Sequence, residues 1–302
     1  MKPVRMIQKM LKSQPTTEGA GVHLKRVFGR AELPDFDPFL LMDDFHSHNP
    51  EEYIKGFPWH PHRGIETITY VLHGDVEHGD SMGNQGVIGS GDVQWMTAGS
   101  GIIHQEMPKG DEQRLMWGFQ LWANLPASEK MIDPKYRDVK KTDIPVVNLD
   151  DGTLVKIIAG TVNETTGPVG DIVIDPEYLD ITIPGEADFV HRTKGGYKVF
   201  AYVIAGQGYF DPERGPHGTE VEGSATFAST TERLVGPETL VLFGDGEAVH
   251  LSAGAQGVRF LLVSGKPLNE PVAWNGPIVM NTEEQLRTAF EEYEKGTFIK
   301  EK

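Results

Sequence analysis

Between Phe57 and Pro108 the chain carries metal-capable side chains in two pairs, His60 with His62 and His104 with Glu106. A single residue separates the members of each pair. In an extended segment successive side chains alternate faces, so residues two apart point the same way, whereas a helix needs spacings of three or four. The pairs therefore demand strands. Pro61 disfavours helix at His60, as Pro58 does at Phe57. Proline also removes a ladder donor, which predicts an edge strand or its lead-in. Residues 65–72, rich in β-branched and aromatic side chains, follow as a strand and turn at His73-Gly74-Asp75. The second pair comes after a short strand, Val93 to Met96, and the glycine-rich turn Ala98-Gly99-Ser100-Gly101. On neighbouring strands the two pairs could aim three imidazoles and one carboxylate into one pocket.

Thirty-five glycines and twenty prolines punctuate many short apolar runs in the 302 residues. This pattern predicts an all-β sandwich or barrel, and the length suits two domains. A formal charge of −16 leaves no basic face for phosphates, which argues against nucleic acid as a direct ligand. The absence of cysteine removes disulfides, thiolate ligands and cysteine nucleophiles together. No stretch approaches the length of a membrane span, and the basic N-terminus lacks the apolar run of a secretory signal. A cytoplasmic location is the expectation.

Further along, Val22 to Val27 alternates as a strand. His46 and His48 repeat the two-residue spacing, but turn residues flank them and they are read as a polar surface loop. Trp117, Phe119 and Leu121 share a face of another strand and read as core. Residues 161–170 have linker composition. The second half resembles a degraded copy of the first, with residues 67–74 overlying 199–206. That register puts Arg192 and Lys194 where His60 and His62 stand, and Ser252 at the place of Glu106. The expected organisation is thus a metal-bearing domain over 1–150 and a second over 151–302 that has lost its ligands. Thr282 and Gln285 have capping-box spacing before a stripe of Leu286, Ala289, Phe290 and Tyr293, which predicts a C-terminal helix.

The segments Phe57-Pro58-x-His60-Pro61-His62-Arg63-Gly64-x-Glu66-Thr67 and Met96-Thr97-Ala98-Gly99-x-Gly101-Ile102-x-His104-x-Glu106-Met107-Pro108 closely resemble the pirin family. Gly265-Lys266-Pro267-Leu268-Asn269-Glu270-Pro271 and residues 276–282 look like the same family. The resemblance implies a bicupin: two antiparallel β-barrel or jelly-roll cupin domains, the first holding iron. Its ligands would be His60, His62, His104 and Glu106, with Glu66 beside the site rather than on the metal. Three neutral imidazoles and a carboxylate suit Fe(II), the choice the resemblance favours; Mn, Co, Ni and Zn are compatible with the same donors.

Two functions follow from the resemblance. The first is a quercetin 2,3-dioxygenase-type oxygenase that cleaves flavonols with O2. In it Glu106 would double as the base toward a substrate hydroxyl, and Phe57, Trp59 and Trp95 would wall an apolar slot. The alternative is an iron-dependent redox-sensing regulator that binds a transcription factor or a metabolic enzyme, where the acidic charge favours a protein partner over DNA.

Overall fold

The computed structural model describes residues 3–211, the backbone of 221–222, and 234–300. One α-helix and two 3-10 turns apart, its regular elements are strands. No helix among the described residues is long and apolar enough to cross a membrane.

The chain divides into two compact units, and the boundary expected at 150 is displaced. One unit comprises Gln14–Lys141 with Leu268–Lys302; the other comprises Met1–Ser13 with Thr142–Pro267. The chain ends cause the difference. Strand Ile7–Lys12 pairs antiparallel with Thr239–Phe243, so the N-terminal arm completes a sheet of the later unit. The C-terminal helix, expected in the second domain, belongs instead to the first. Such long-range strand addition leaves no local signal in sequence.

The first unit contains β1 Gln14–Glu18, β2 Val22–Phe28, β3 Phe39–Ser47, β4 Phe57–His62, β5 Ile65–His73 and β6 Asp75–Asp80. It continues with β7 Gln85–Ile88, β8 Val93–Thr97, β9 Ile102–Lys109, β10 Met116–Asn124 and β11 Lys135–Val139. Seven of these form a sheet in the order β11-β8-β5-β10-β3-β2-β1, and four form another in the order β4-β9-β6-β7. Strand β10 buries Phe119 and Leu121 on one face, but Trp117, expected in the same core stripe, is only half-buried and donates its Nε1 hydrogen to Asp44 Oδ1. His46 lies within β3, not in a loop, and its ring stacks on Trp117 with centroids 4.1 Å apart. A hairpin of β12 Ala273–Asn275 and β13 Ile278–Met280 precedes helix α1 Glu283–Glu294, whose Leu286 and Ala289 pack against Ile278 and Met280.

The helix starts as its sequence predicts. Gln285 N donates to Thr282 Oγ1 at 3.2 Å, while Thr282 N donates to Gln285 Oε1 at 3.1 Å. Thr282→Ala removes one of these caps and is expected to cost about 1 kcal/mol. The five tryptophans, residues 59, 95, 117, 122 and 274, all belong to this unit. A urea titration followed by tryptophan fluorescence therefore reads its stability alone.

The second unit is built on a nine-stranded sheet. Its interior is filled by Val155, Ile157, Leu179, Ile181, Val199, Val241 and Phe260, all fully buried. Its register corrects the internal repeat by two residues. His60 pairs with His104 in the first unit, and Val190 pairs with His250 in the second, with Arg192 opposite Ala248. The positions of His60 and His62 thus fall on Val190 and Arg192 rather than on Arg192 and Lys194. The longer connection, residues 193–197 against Arg63-Gly64, absorbs the slip. His191 Nε2 meets Glu177 Oε1 at 3.0 Å and is held as part of the packing.

Candidate metal centre

Strand β4 lies at the edge of the four-stranded sheet and pairs with β9, so its prolines forfeit no ladder bond on the open side. The register sets His62 opposite Ile102, His60 opposite His104 and, after a bulge, Phe57 opposite Glu106. The three imidazoles converge. Their ring centroids lie 4.4 Å (His60–His104), 4.8 Å (His60–His62) and 5.1 Å (His62–His104) apart. His62 and His104 are buried, and His60 is partly so.

Hydrogen bonding fixes what these rings present. His60 Nδ1 lies 2.8 Å from the Pro58 carbonyl, and His62 Nδ1 lies 3.0 Å from the Pro277 carbonyl. A carbonyl only accepts, so each Nδ1 carries the hydrogen and each Nε2 presents a lone pair. These two Nε2 atoms stand 3.1 Å apart. Neither has a hydrogen to give the other. Both ring nitrogens of His104 are buried without a partner. Protonation is no remedy, since burial pushes all three histidines down, His62 to about 3 with help from His60. A shared divalent cation would take the opposed lone pairs of His60 Nε2 and His62 Nε2 and one of the two unpartnered ring nitrogens of His104. The 3.1 Å separation is about that of neighbouring ligands on a six-coordinate ion with metal–nitrogen bonds of roughly 2.1 Å. The residues fit a metal.

Glu106, two residues beyond His104, lines the same cavity but lies outside the three-imidazole group. Thr69 Oγ1 donates to Gln120 Oε1 at 2.7 Å and is 3.3 Å from Glu106 Oε1. One hydroxyl hydrogen cannot serve both acceptors fully, so the carboxylate is under-solvated. Burial accordingly pushes Glu106 up to about 7, with Thr69 opposing the shift. The sign for metal uptake follows. Burial holds all three imidazoles below their ordinary range and Glu106 above its own, so of the four expected ligands Glu106 is the one that would have to release a proton on binding a metal. Co(II) affinity of the metal-free protein is expected to rise as pH increases from about 5.5 to 7 and to level off above about 8. Glu106→Gln should flatten that rise, as read by titration calorimetry in buffers of different ionisation enthalpy.

The other expected site residues divide. Phe57 lines the cavity. Glu66 does not face it, because Thr69, three positions on in β5, does, and an odd offset reverses the face. Its carboxylate instead accepts from Trp95 Nε1 at 3.0 Å and Thr97 Oγ1 at 2.7 Å, behind the sheet. Trp95 is therefore a buried anchor for Glu66 rather than a cavity wall. Trp59 is 53% exposed and lines a separate shallow cleft with Gln85, Val87 and Met107.

The cavity beside the histidines has a volume of about 600 Å³. Sequence reading missed its main walls. Gln120 and Trp122 occupy the face of β10 opposite the core stripe, and Trp274 comes from the C-terminal hairpin. Trp122 stands edge-on to His62 with centroids 5.0 Å apart, and Trp274 lies 6.0 Å from Trp122. Two buried cations brace the turn after β4, and neither carried a signal. Arg63 donates to Ser100 O, Glu292 Oε2 and Phe298 O at 2.7, 2.7 and 2.8 Å. Lys130 Nζ donates to Gly64 O, Asn124 Oδ1 and Val279 O. Gly64 has φ +78, and a Cβ there would fall 2.0 Å from Val279 O, so this turn needs glycine.

Two antiparallel β units, one opening on a three-histidine cavity and one with an apolar interior, define a bicupin. Comparison with known proteins makes the assignment specific. Residues 21–123 match Pirin, and residues 178–299 match the Pirin C-terminal cupin domain. The chain is 42% identical over 297 residues to a pirin-like protein of Caulobacter vibrioides, covering 98% of this chain and 100% of that one. It is 36% identical over 281 residues to Homo sapiens pirin, covering 92% and 88%. The crystal structure of quercetin 2,3-dioxygenase from Acinetobacter baumannii superimposes with a TM-score of 0.84 at 27% identity, covering 98% and 99%. The chain belongs to the pirin family.

Proposed function

We propose that this protein is a metal-dependent dioxygenase of the quercetin 2,3-dioxygenase type, acting on a flat phenolic substrate of flavonol class with O2. The observation that carries the reading is the pair of opposed Nε2 lone pairs beside an aromatic-walled cavity. His60, His62, His104 and Glu106 would hold the ion; Fe(II) suits the O2 chemistry, and Mn, Co, Ni or Zn satisfy the same donors. When bound, the ion supplies Lewis-acid polarisation of a substrate oxygen and access to O2. The likeness to the Acinetobacter enzyme supports the substrate class.

The remaining work falls to the chain. Trp122 and Trp274 orient the flat ring system, and Phe57 and Phe45 exclude water from it. Glu106, raised toward neutrality by burial, takes the proton of the reacting hydroxyl. Thr69 holds Gln120 by its Oε1, which leaves the Gln120 amide N–H₂ to donate to a substrate carbonyl.

The test is O2 consumption by protein loaded anaerobically with Fe(II), with and without quercetin, beside a His104→Ala control. Uptake that requires the flavonol and disappears in the control is expected. Iron-replete protein that consumes no O2 with quercetin contradicts the proposal and leaves the metal-linked binding of a protein partner as the better reading.

A further inference from the structure

We infer that His78 is a positioning residue for the metal centre, donating its Nδ1 hydrogen to Glu106 and holding that carboxylate toward the imidazoles. This rests on Glu106 being a ligand. Strand β6 pairs with β9 so that His78 lies directly opposite Glu106. Directly opposite residues share a face, with Cβ atoms about 5 Å apart. Glu106 lines the metal-site cavity, and His78, 6% exposed, packs beside it over Gly86, where it also borders the cleft of Trp59.

The tautomer of His78 is dictated from the far side. Gln94 Nε2 lies 3.0 Å from His78 Nε2 and 2.9 Å from Asp138 Oδ1. A flipped amide would set the Gln94 oxygen against the Asp138 carboxylate, so the nitrogen must face both groups. Gln94 then spends one hydrogen on Asp138 and the other on His78. His78 Nε2 accepts, and the ring hydrogen must be on Nδ1. Glycine at position 86 leaves room for this ring, since a Cβ there would fall 2.7 Å from Nε2.

That Nδ1 is buried and has no partner. An unsatisfied buried N–H is costly enough that an acceptor is called for. Asp80 is engaged by its own turn, taking Met82 N, Asn84 N and Asn84 Nδ2. The Tyr136 ring lies over His78 with centroids 5.8 Å apart, and its hydroxyl is directed to Asp80, which helps to push the phenol up. Glu106, across the strand pair and short of donors, is the acceptor that ligation would bring into line. A hydrogen bond to the outer oxygen of a ligating carboxylate fixes its orientation and its basicity. Asp138, Gln94 and His78 thus form a relay of fixed hydrogen-bond direction that ends on the metal-site carboxylate.

The experiment is a chelator-competition titration of metal-free protein with Co(II), recording affinity and visible spectrum. Asparagine places its amide nitrogen near the position of Nδ1, while glutamine reaches only that of Nε2. His78→Asn is expected to bind within about 3-fold of the parent with an unchanged spectrum. His78→Gln should bind about 10- to 100-fold more weakly with a shifted spectrum. Tyr136→Phe should leave both unchanged. In a Glu106→Gln background, His78→Gln should add no further loss. If Glu106→Gln weakens binding while His78→Gln behaves as the parent, the positioning role is overturned and the ligand assignment stands. If Glu106→Gln itself binds as the parent, the ligand assignment fails and the inference with it.

Discussion

His62→Ala is expected to lower Co(II) affinity of the metal-free protein by about 10²- to 10³-fold. An isolated four-ligand protein site gains roughly 10–16 kcal/mol from its ion, so each donor carries on the order of 3 kcal/mol. His62 should stand at the upper end. It is buried, and its tautomer is fixed by the Pro277 carbonyl, so no solvent replaces it readily and no neighbour can swing into its place. The same substitution should cost the metal-free fold little for so buried a side chain, because relief of the lone-pair confrontation at 3.1 Å offsets part of the lost packing and of the lost hydrogen bond to the Pro277 carbonyl. A merely structural histidine would behave in the opposite way, lowering stability without touching metal uptake. Competition titration and urea unfolding of one preparation separate the two.

Arg63→Met is expected to cost about 3–5 kcal/mol in the site-bearing unit, the loss associated with breaking a buried charged network. The guanidinium is 2% exposed and satisfies two carbonyls and Glu292, with its carbon 4.2 Å above the Phe298 ring centroid. Methionine fills part of the volume but strands the Ser100 and Phe298 carbonyls in the interior. The amide oxygen of a glutamine at 292 can still accept from Arg63, so the loss should be smaller for Glu292→Gln than for Arg63→Met. Arg63 directly follows His62, and the variant should also weaken metal binding. Tryptophan fluorescence in urea measures the first effect on this unit alone.

Much of the centre was legible because strand alternation is a local rule. The spacings at His60, His62 and His104 required one face of two strands, and the prolines required an edge; the pairing of β4 with β9 has that arrangement. The capping box at Thr282 was equally local. What escaped depends on partners distant in sequence. Alternation says that Gln120 and Trp122 share a face but not that this face is the cavity, which the neighbours β5 and β3 decide. Glu66 shows the same limit in reverse, since its proximity in sequence to the histidines concealed an odd offset from the cavity-facing Thr69. Trp274, Pro277 and Glu292 reach the site only because the C-terminal hairpin and helix return to the first unit. Nothing local marks Arg63 and Lys130 as buried; the turn at Gly64 and the returning C-terminal segment enclose them.

The convergence of His60, His62 and His104 calls for one divalent ion among them, and this requirement underlies the expected results above. It is tested most directly by crystallising the protein with one equivalent of Co(II) and locating the ion by anomalous scattering. A single peak at bonding distance from His60 Nε2, His62 Nε2 and a ring nitrogen of His104 is the predicted result. An ion found only elsewhere, or none under stoichiometric loading, would contradict a metal centre on these two strands.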